Sequence, residues 1–231
     1  MWYRYFAAPP EAGSTSPASV SVTVLVGRLA GSLEDYADFL EAILSALEEP
    51  AGLAGFSMGG YAALALARRR PERLAALALV DTRAHPDDEA GRAKRDEAIA
   101  TVRSGGVTPI ADAMVPKLLS PAGVGNRDLV ERVRRIMLRQ KPETVEGDLT
   151  AMRDRADARP ALAGIGIPTL VVVGTEDALT PPADSEAMAA AIPGARLTTI
   201  PGAGHLSPME RPGAVAAALS EFFGGVLASP G

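Results

Sequence analysis

Gly55-Phe56-Ser57-Met58-Gly59-Gly60 is the stretch whose reading decides the fold. It has the form G-x-S-x-G, and both flanks suit it. Residues 51–55 are small and apolar, as a short buried strand would be, and residues 61–70 are an alanine- and leucine-rich helix former stopped by Pro71. A strand that passes straight into a helix through a serine is a nucleophile elbow. The turn is so tight that small residues are needed two before and two after the serine, here Gly55 and Gly59. Such a turn holds the serine in a strained backbone conformation with its hydroxyl above the sheet. The helix start behind it aims N–H groups at any developing anion. A small-residue turn that merely contains a serine is the alternative, and the strand before with the helix after favours the catalytic reading. Ser57 is the candidate nucleophile.

Working outward, residues 19–26 (SVSVTVLV) are β-branched and read as a strand. Ser32 is placed to cap a helix over residues 33–48, with Glu34 and Asp35 in its first turn. Its apolar Tyr36, Phe39, Leu40, Ile43, Leu44 and Leu47 recur at helical spacing. Residues 74–80 read as a further strand, followed by Asp81. Between residues 85 and 159 charged helical segments (87–103, 108–119, 127–140, 143–158) are separated by Gly and Pro. An insertion this long between two strands reads as a cap over the strand ends. The β/α rhythm then resumes, with strands over 169–173 and 196–200 and helices over 182–192 and 208–223. This alternation predicts a doubly wound, mostly parallel sheet. The domain reading is a flexible arm (1–18, rich in Ala, Pro, Ser and Gly), a core (19–84 and 160–231) and a helical cap (85–159).

A serine hydroxyl needs a base to take its proton and an acid to orient that base. The chain has two histidines. His205 follows the last strand in the Gly-rich loop 201–205, on the same sheet edge as Ser57. His85 stands where the chain enters the insertion and reads as a surface or hinge residue. His205 is therefore the expected base. The acid should also follow a strand. Asp177 and its neighbour Glu176 compete, Asp177 being preferred, with Asp81 as a third and more structural candidate. The order Ser57, Asp177, His205 is the one an α/β-hydrolase arrangement requires.

The strings GFSMGG, VVVGTEDALTPP and IPGAGHLSPMERP resemble the α/β-hydrolase superfamily, and most of all its capped esterase and lactonase branch. That branch includes 3-oxoadipate enol-lactonase-like and pimeloyl-carrier-protein methyl esterase-like proteins. The resemblance runs from about residue 33 to the C-terminus. It implies cleavage of a small carboxylic ester, lactone or thioester through an acyl-serine intermediate, without a cofactor. The Met58 N–H would be one oxyanion donor. The departure is at the front, where no His-Gly pair precedes Ser57 and a single strand is expected before the elbow strand. Three explanations present themselves: an N-terminus shortened or altered relative to the family, a substitute N–H from the turn at Gly27, or a second copy of the chain (a homodimer) covering an open sheet edge. Losing one oxyanion donor costs on the order of 100- to 1000-fold in rate. A crippled hydrolase-fold protein that binds or assembles without turnover is thus the competing expectation. Perhydrolysis is a third reading that no residue demands.

The cap would shape an acyl pocket from Met114, Val115, Leu118, Ile136 and Met137, which are equally suited to the cap's own core. Arg132, Arg134, Arg135 and Arg139 read as a solvated helix face before they read as a site for an acidic substrate or carrier. Composition excludes other classes. The chain has 231 residues, 47% of them hydrophobic, a formal net charge of −5 and no cysteine. Nucleic acid is not an expected partner, disulfides are ruled out and two histidines make a metal cluster unexpected. No apolar run is long enough to span a membrane, and no secretory signal is apparent, so a cytoplasmic location is expected.

Overall fold

The computed structural model describes residues 3–6, 21–24, 32–47 and 49–227. Strands β1 (Tyr3–Phe6) and β2 (Ser21–Val24) form an antiparallel pair in which Tyr3 lies opposite Val24 and Phe6 opposite Ser21. A strand at Tyr3–Phe6 departs from the expectation of an arm without regular structure, and β1 adds a second strand ahead of the elbow. The composition of residues 1–18 did not signal it, because the ladder is made with residues some 18 positions away. Helix α1 (Leu33–Ser45) follows, and its start is as expected. Ser32 Oγ accepts the Asp35 N–H at 3.2 Å while the Asp35 carboxylate accepts the Ser32 N–H at 2.8 Å, which is a capping box.

Then come β3 (Ala51–Phe56), α2 (Met58–Arg69), β4 (Leu74–Val80), five helices α3 (Glu89–Gly105), α4 (Thr108–Leu118), α5 (Pro121–Gly125), α6 (Arg127–Leu138) and α7 (Pro142–Arg153), then β5 (Thr169–Gly174), α8 (Pro182–Ala191), β6 (Arg196–Ile200), α9 (Ser207–Glu210) and α10 (Pro212–Leu227). Strands β3 to β6 lie in sequence order and pair in parallel throughout. Parallel strands need crossovers, and each connection here contains helices.

Both faces of the sheet are buried over β3, β4 and β5, which accounts for their continuously apolar runs, whereas β6 at the edge is largely exposed. Alternation sends Leu53, Leu77, Leu79 and Val171 toward one face, where they pack with Tyr36, Leu40, Leu44, Leu66, Met188 and Ile192 from α1, α2 and the end of α8. Ala54, Ala76, Ala78, Val80, Leu170 and Val172 face the other way, against Val215, Phe222 and Phe223 of α10. Small residues in β3 and β4 let α10 approach closely. Arg68, Arg69 and Arg70 at the end of α2 pair with Glu34, Asp38 and Glu41 of α1.

The insertion between β4 and β5 is helical, as expected, with one short helix, α5, that the sequence did not announce. Its α3 packs on α7 through Ile99, Val102 and Leu149, and α4 packs on α6 through Val115 and Val133. Its two ends are joined by Arg155, which is buried. Arg155 donates to the His85 carbonyl and, at 2.9 Å, to Asp87, and it stacks 4.6 Å above the Tyr61 ring. Burial raises the Asp87 carboxyl, but hydrogen bonds from Arg155 and Arg95 outweigh it and leave the group below its usual range. Among the described residues no helix is long and apolar enough to cross a membrane.

Candidate active site

The carboxyl ends of β3, β4, β5 and β6 and the loops beyond them build the site. Ser57 separates β3 from α2 with φ 50° and ψ −116°, a strained conformation for a residue with a side chain. It is held there by its N–H, which donates to the Val80 carbonyl at 2.9 Å, and by its carbonyl, which accepts from the Gly60 N–H at 2.9 Å and the Thr82 hydroxyl at 2.8 Å. Glycine is required at Gly55, where a Cβ would stand 2.5 Å from the Gly59 carbonyl oxygen. The second requirement falls elsewhere than expected. A Cβ on Gly59 meets nothing within 4 Å, whereas one on Gly60 would stand 2.5 Å from the Thr82 hydroxyl. The α2 axis brings Gly60, three residues past the serine, onto the end of β4.

Ser57 Oγ lies 2.8 Å from His205 Nε2, and His205 Nδ1 lies 2.9 Å from Asp177 Oδ2. The carboxylate fixes the tautomer. Nδ1 carries the proton and donates it to Asp177, leaving Nε2 to accept from the serine hydroxyl. His205 is 4% exposed and Asp177 3%, so the pair works in a weakly screened setting. Burial alone would raise the Asp177 carboxyl. The His205 hydrogen bond and charge, with the Thr180 hydroxyl and N–H, prevail and hold it below its usual value. Asp177 Oδ1 accepts the N–H groups of Leu179 at 2.8 Å and Thr180 at 2.9 Å, and Oδ2 accepts the Thr180 hydroxyl at 2.6 Å. Glu176 is exposed beside it.

Asp81 is fully buried with φ 44°. It accepts the Gly174 N–H at 2.9 Å and the Ser207 hydroxyl at 2.5 Å, tying β4 to β5 and to the residues after His205. Burial pushes its carboxyl up to about 7, against the opposing pull of the His205 charge and these hydrogen bonds. His85 is drawn to Asp184, 3.2 Å away, and does not join the Ser57–His205 pair.

Met58 opens α2, and the first N–H groups of a helix have no acceptor within it. Its N–H, next in the chain to Ser57, is one of these. Gly27 lies outside the described residues. Among the residues expected to line an acyl pocket, Val115, Leu118 and Met137 gather in one apolar cluster with Leu119, Leu206 and Phe56, the last two being sequence neighbours of His205 and Ser57. The Phe56 and His205 rings are 5.6 Å apart. Met114 and Ile136 are half-buried outside that cluster. Thr82, Thr180, Ser120 and Glu210 were missed by sequence reasoning. Each acts through a contact made by folding; Thr180 and Glu210 lie within the strings VVVGTEDALTPP and IPGAGHLSPMERP, but the strings do not say what they touch.

These features define a class. The chain matches the alpha/beta hydrolase family over residues 10–218, and it belongs to that family. It is 30% identical to a pimeloyl-[acyl-carrier protein] methyl ester esterase of Neisseria meningitidis, over 82% of this chain and 62% of the relative. It is 32% identical to 3-oxoadipate enol-lactonase 2 of Acinetobacter baylyi, over 74% of this chain and 63% of the relative. The chain thus spans a little over three fifths of the length of these two curated relatives. Among solved structures, a malate-bound thermophilic esterase from Thermogutta terrifontis superposes with a TM-score of 0.82 at 37% identity, over 89% of this chain and 75% of the esterase.

Proposed function

We propose that this chain is a cofactor-independent hydrolase of small carboxylic esters, lactones or thioesters, acting through an acyl-serine intermediate. One observation carries the reading: the unbroken relay of 2.8 Å from Ser57 to His205 and 2.9 Å from His205 to Asp177. In the forward step Ser57 Oγ bonds to the substrate carbonyl carbon while its proton passes to His205 Nε2. The carbonyl oxygen becomes an oxyanion facing the Met58 N–H. Collapse breaks the bond to the leaving oxygen or sulfur, which takes the proton from His205. Water then attacks the acyl carbon, gives its proton to His205, and frees the acid as the proton returns to Ser57. Asp177 remains ionised and steadies the imidazolium. The helices between β4 and β5 serve as a cap, with Leu118 and Met137, and Met114 beside them, as acyl-contacting residues. The relatives named as esterases and a lactonase support ester chemistry, and a cytoplasmic setting accords with it.

The test is intact-mass labelling with a fluorophosphonate, beside Ser57→Ala. This probe forms a Ser57 Oγ–phosphorus bond with loss of fluoride and needs no knowledge of the natural ester. One adduct on the parent and none on the variant is expected. No adduct on a folded parent sample would turn the reading to a hydrolase-fold protein that binds without turnover, as the lack of a His-Gly pair before Ser57 would then explain.

A further inference from the structure

His205 stands in the loop between β6 and α9, so its position depends on what grips that loop. On one side the grip is Glu210, at the end of α9. Its Oε1 accepts the N–H of Gly204, the residue just before His205, at 2.7 Å. The same carboxylate accepts the Ser120 N–H at 3.0 Å and the Ser120 hydroxyl at 2.5 Å through Oε2. Ser120, 1% exposed, joins α4 to α5 in the insertion. Beside this, the Leu206 N–H donates to the Leu118 carbonyl at 3.0 Å. The packing leaves no slack. A Cβ on Gly204 would collide with the Ser120 nitrogen, and one on Gly123 would collide with the Glu210 carboxylate.

We infer that Glu210 is a positioning residue that couples the helical insertion to His205, so that the α4–α5 corner and the histidine loop move as one unit. The inference rests on the proposed role of His205 as the base. One carboxylate filled from both sides has a fixed length. A shift of the corner must therefore carry Gly204 with it or break a charge-assisted hydrogen bond. The apolar contacts run the same way, since Val115, Leu119 and Val133 of the insertion pack on Leu206, next to the base. An acyl group that displaces Leu118 or Met137 would thus be felt at the imidazole. Glu210→Gln keeps the length but turns one acceptor into a donor facing the Ser120 N–H.

The test compares the parent with Glu210→Gln, Ser120→Ala and the double variant. The readouts are the rate of fluorophosphonate labelling, kcat and KM on a p-nitrophenyl ester, Tm, and the imidazole resonances after ¹⁵N-histidine labelling, which are simple because the chain has two histidines. Glu210→Gln should label about 10- to 100-fold more slowly, a loss of part of the roughly 10²- to 10⁴-fold that general-base catalysis supplies. In that variant kcat should fall and KM should change little, and the His205 resonances should shift while those of His85 stay. The double variant should be no worse than Glu210→Gln. Labelling within twofold of the parent with unmoved His205 resonances would overturn the coupling while leaving the Ser57 reading intact. If Glu210→Gln does not fold, Ser120→Ala decides, since it removes the hydroxyl's bond to Glu210, together with its cap on the Gly123 N–H, and leaves the Ser120 N–H bond to Glu210 in place. A severalfold slowing is then expected, and the parent rate would refute the coupling. A parent that takes no label would refute the reading of the site, and the coupling with it.

Discussion

Asp81 and Ser207 meet across the end of the sheet: the buried carboxylate that follows β4 accepts the Ser207 hydroxyl at 2.5 Å and the Ser207 N–H at 3.3 Å, two residues past His205. With Glu210 bound to Gly204 on the near side, the loop carrying the imidazole is held by a carboxylate at each flank. Asp177 bonds the ring itself. Of these carboxylates Asp81 is the most deeply buried, and that has a consequence for pH.

Asp81 titrates near 7 when folded, above its ordinary 3.8. Between about pH 4 and 7 the folded chain therefore binds more protons here than the unfolded chain, and stability contributed by this site falls as pH rises through that window. Asp81→Asn should relieve this. Asparagine tolerates the positive φ. The stability of Asp81→Asn relative to the parent, followed by urea unfolding from pH 4 to 9, should climb with pH and level off above 7, by up to roughly 4 kcal/mol in total. A difference that stays flat over that range would show that Asp81 is ionised throughout.

Asp177 and Glu176 are adjacent in sequence but differ in environment, one buried on His205 and the other exposed. Asp177→Asn leaves the shape intact and offers an amide where the imidazole needs an acceptor. It should lower kcat on an ester substrate by about 10³- to 10⁴-fold, as loss of the correct tautomer does in a serine triad. Glu176→Gln should stay within about twofold of the parent, a surface change with no catalytic contact. Equal losses in the two variants would move the acid away from Asp177.

Three glycines around Ser57 should respond unequally to alanine. At Gly59 there is open space, so Gly59→Ala, in the first turn of α2, should leave Tm unchanged or raise it, by up to about 1 kcal/mol of helix propensity. At Gly55 and Gly60 the new methyl would meet the Gly59 backbone and the Thr82 side chain. Each should cost on the order of 1–3 kcal/mol or more, as overpacking does. Thermal unfolding of the three variants checks the ranking. A Gly59→Ala variant as unstable as Gly60→Ala would contradict the observed turn.

Much of this molecule was legible as sequence because its cues are local. The apolar runs at β3, β4 and β5 exist because both sheet faces are covered. The Ser32 cap, the elbow at Ser57 and the Gly-rich approach to His205 each depend on residues within a few positions of one another, so neighbours along the chain are enough to reveal them. The order Ser57, Asp177, His205 followed from strand ends that a parallel sheet brings to one edge. Other facts exist only as meetings between distant segments. The tight contact at Gly60 in place of Gly59 depends on how α2 crosses Thr82. Asp177 was already preferred over Glu176 in the sequence, but its contact with His205, 28 positions on, while Glu176 stays exposed, is visible only in the fold. The strand at Tyr3–Phe6 needs its partner at Ser21–Val24, and the fastening of His205 by Asp81, Ser120 and Glu210 joins residues up to 126 positions apart. Hydrogen bonds and steric contacts act over a few ångströms of space, whatever the separation along the chain. Short patterns could therefore name the candidate reacting groups, and only the tertiary structure could show what holds them in place.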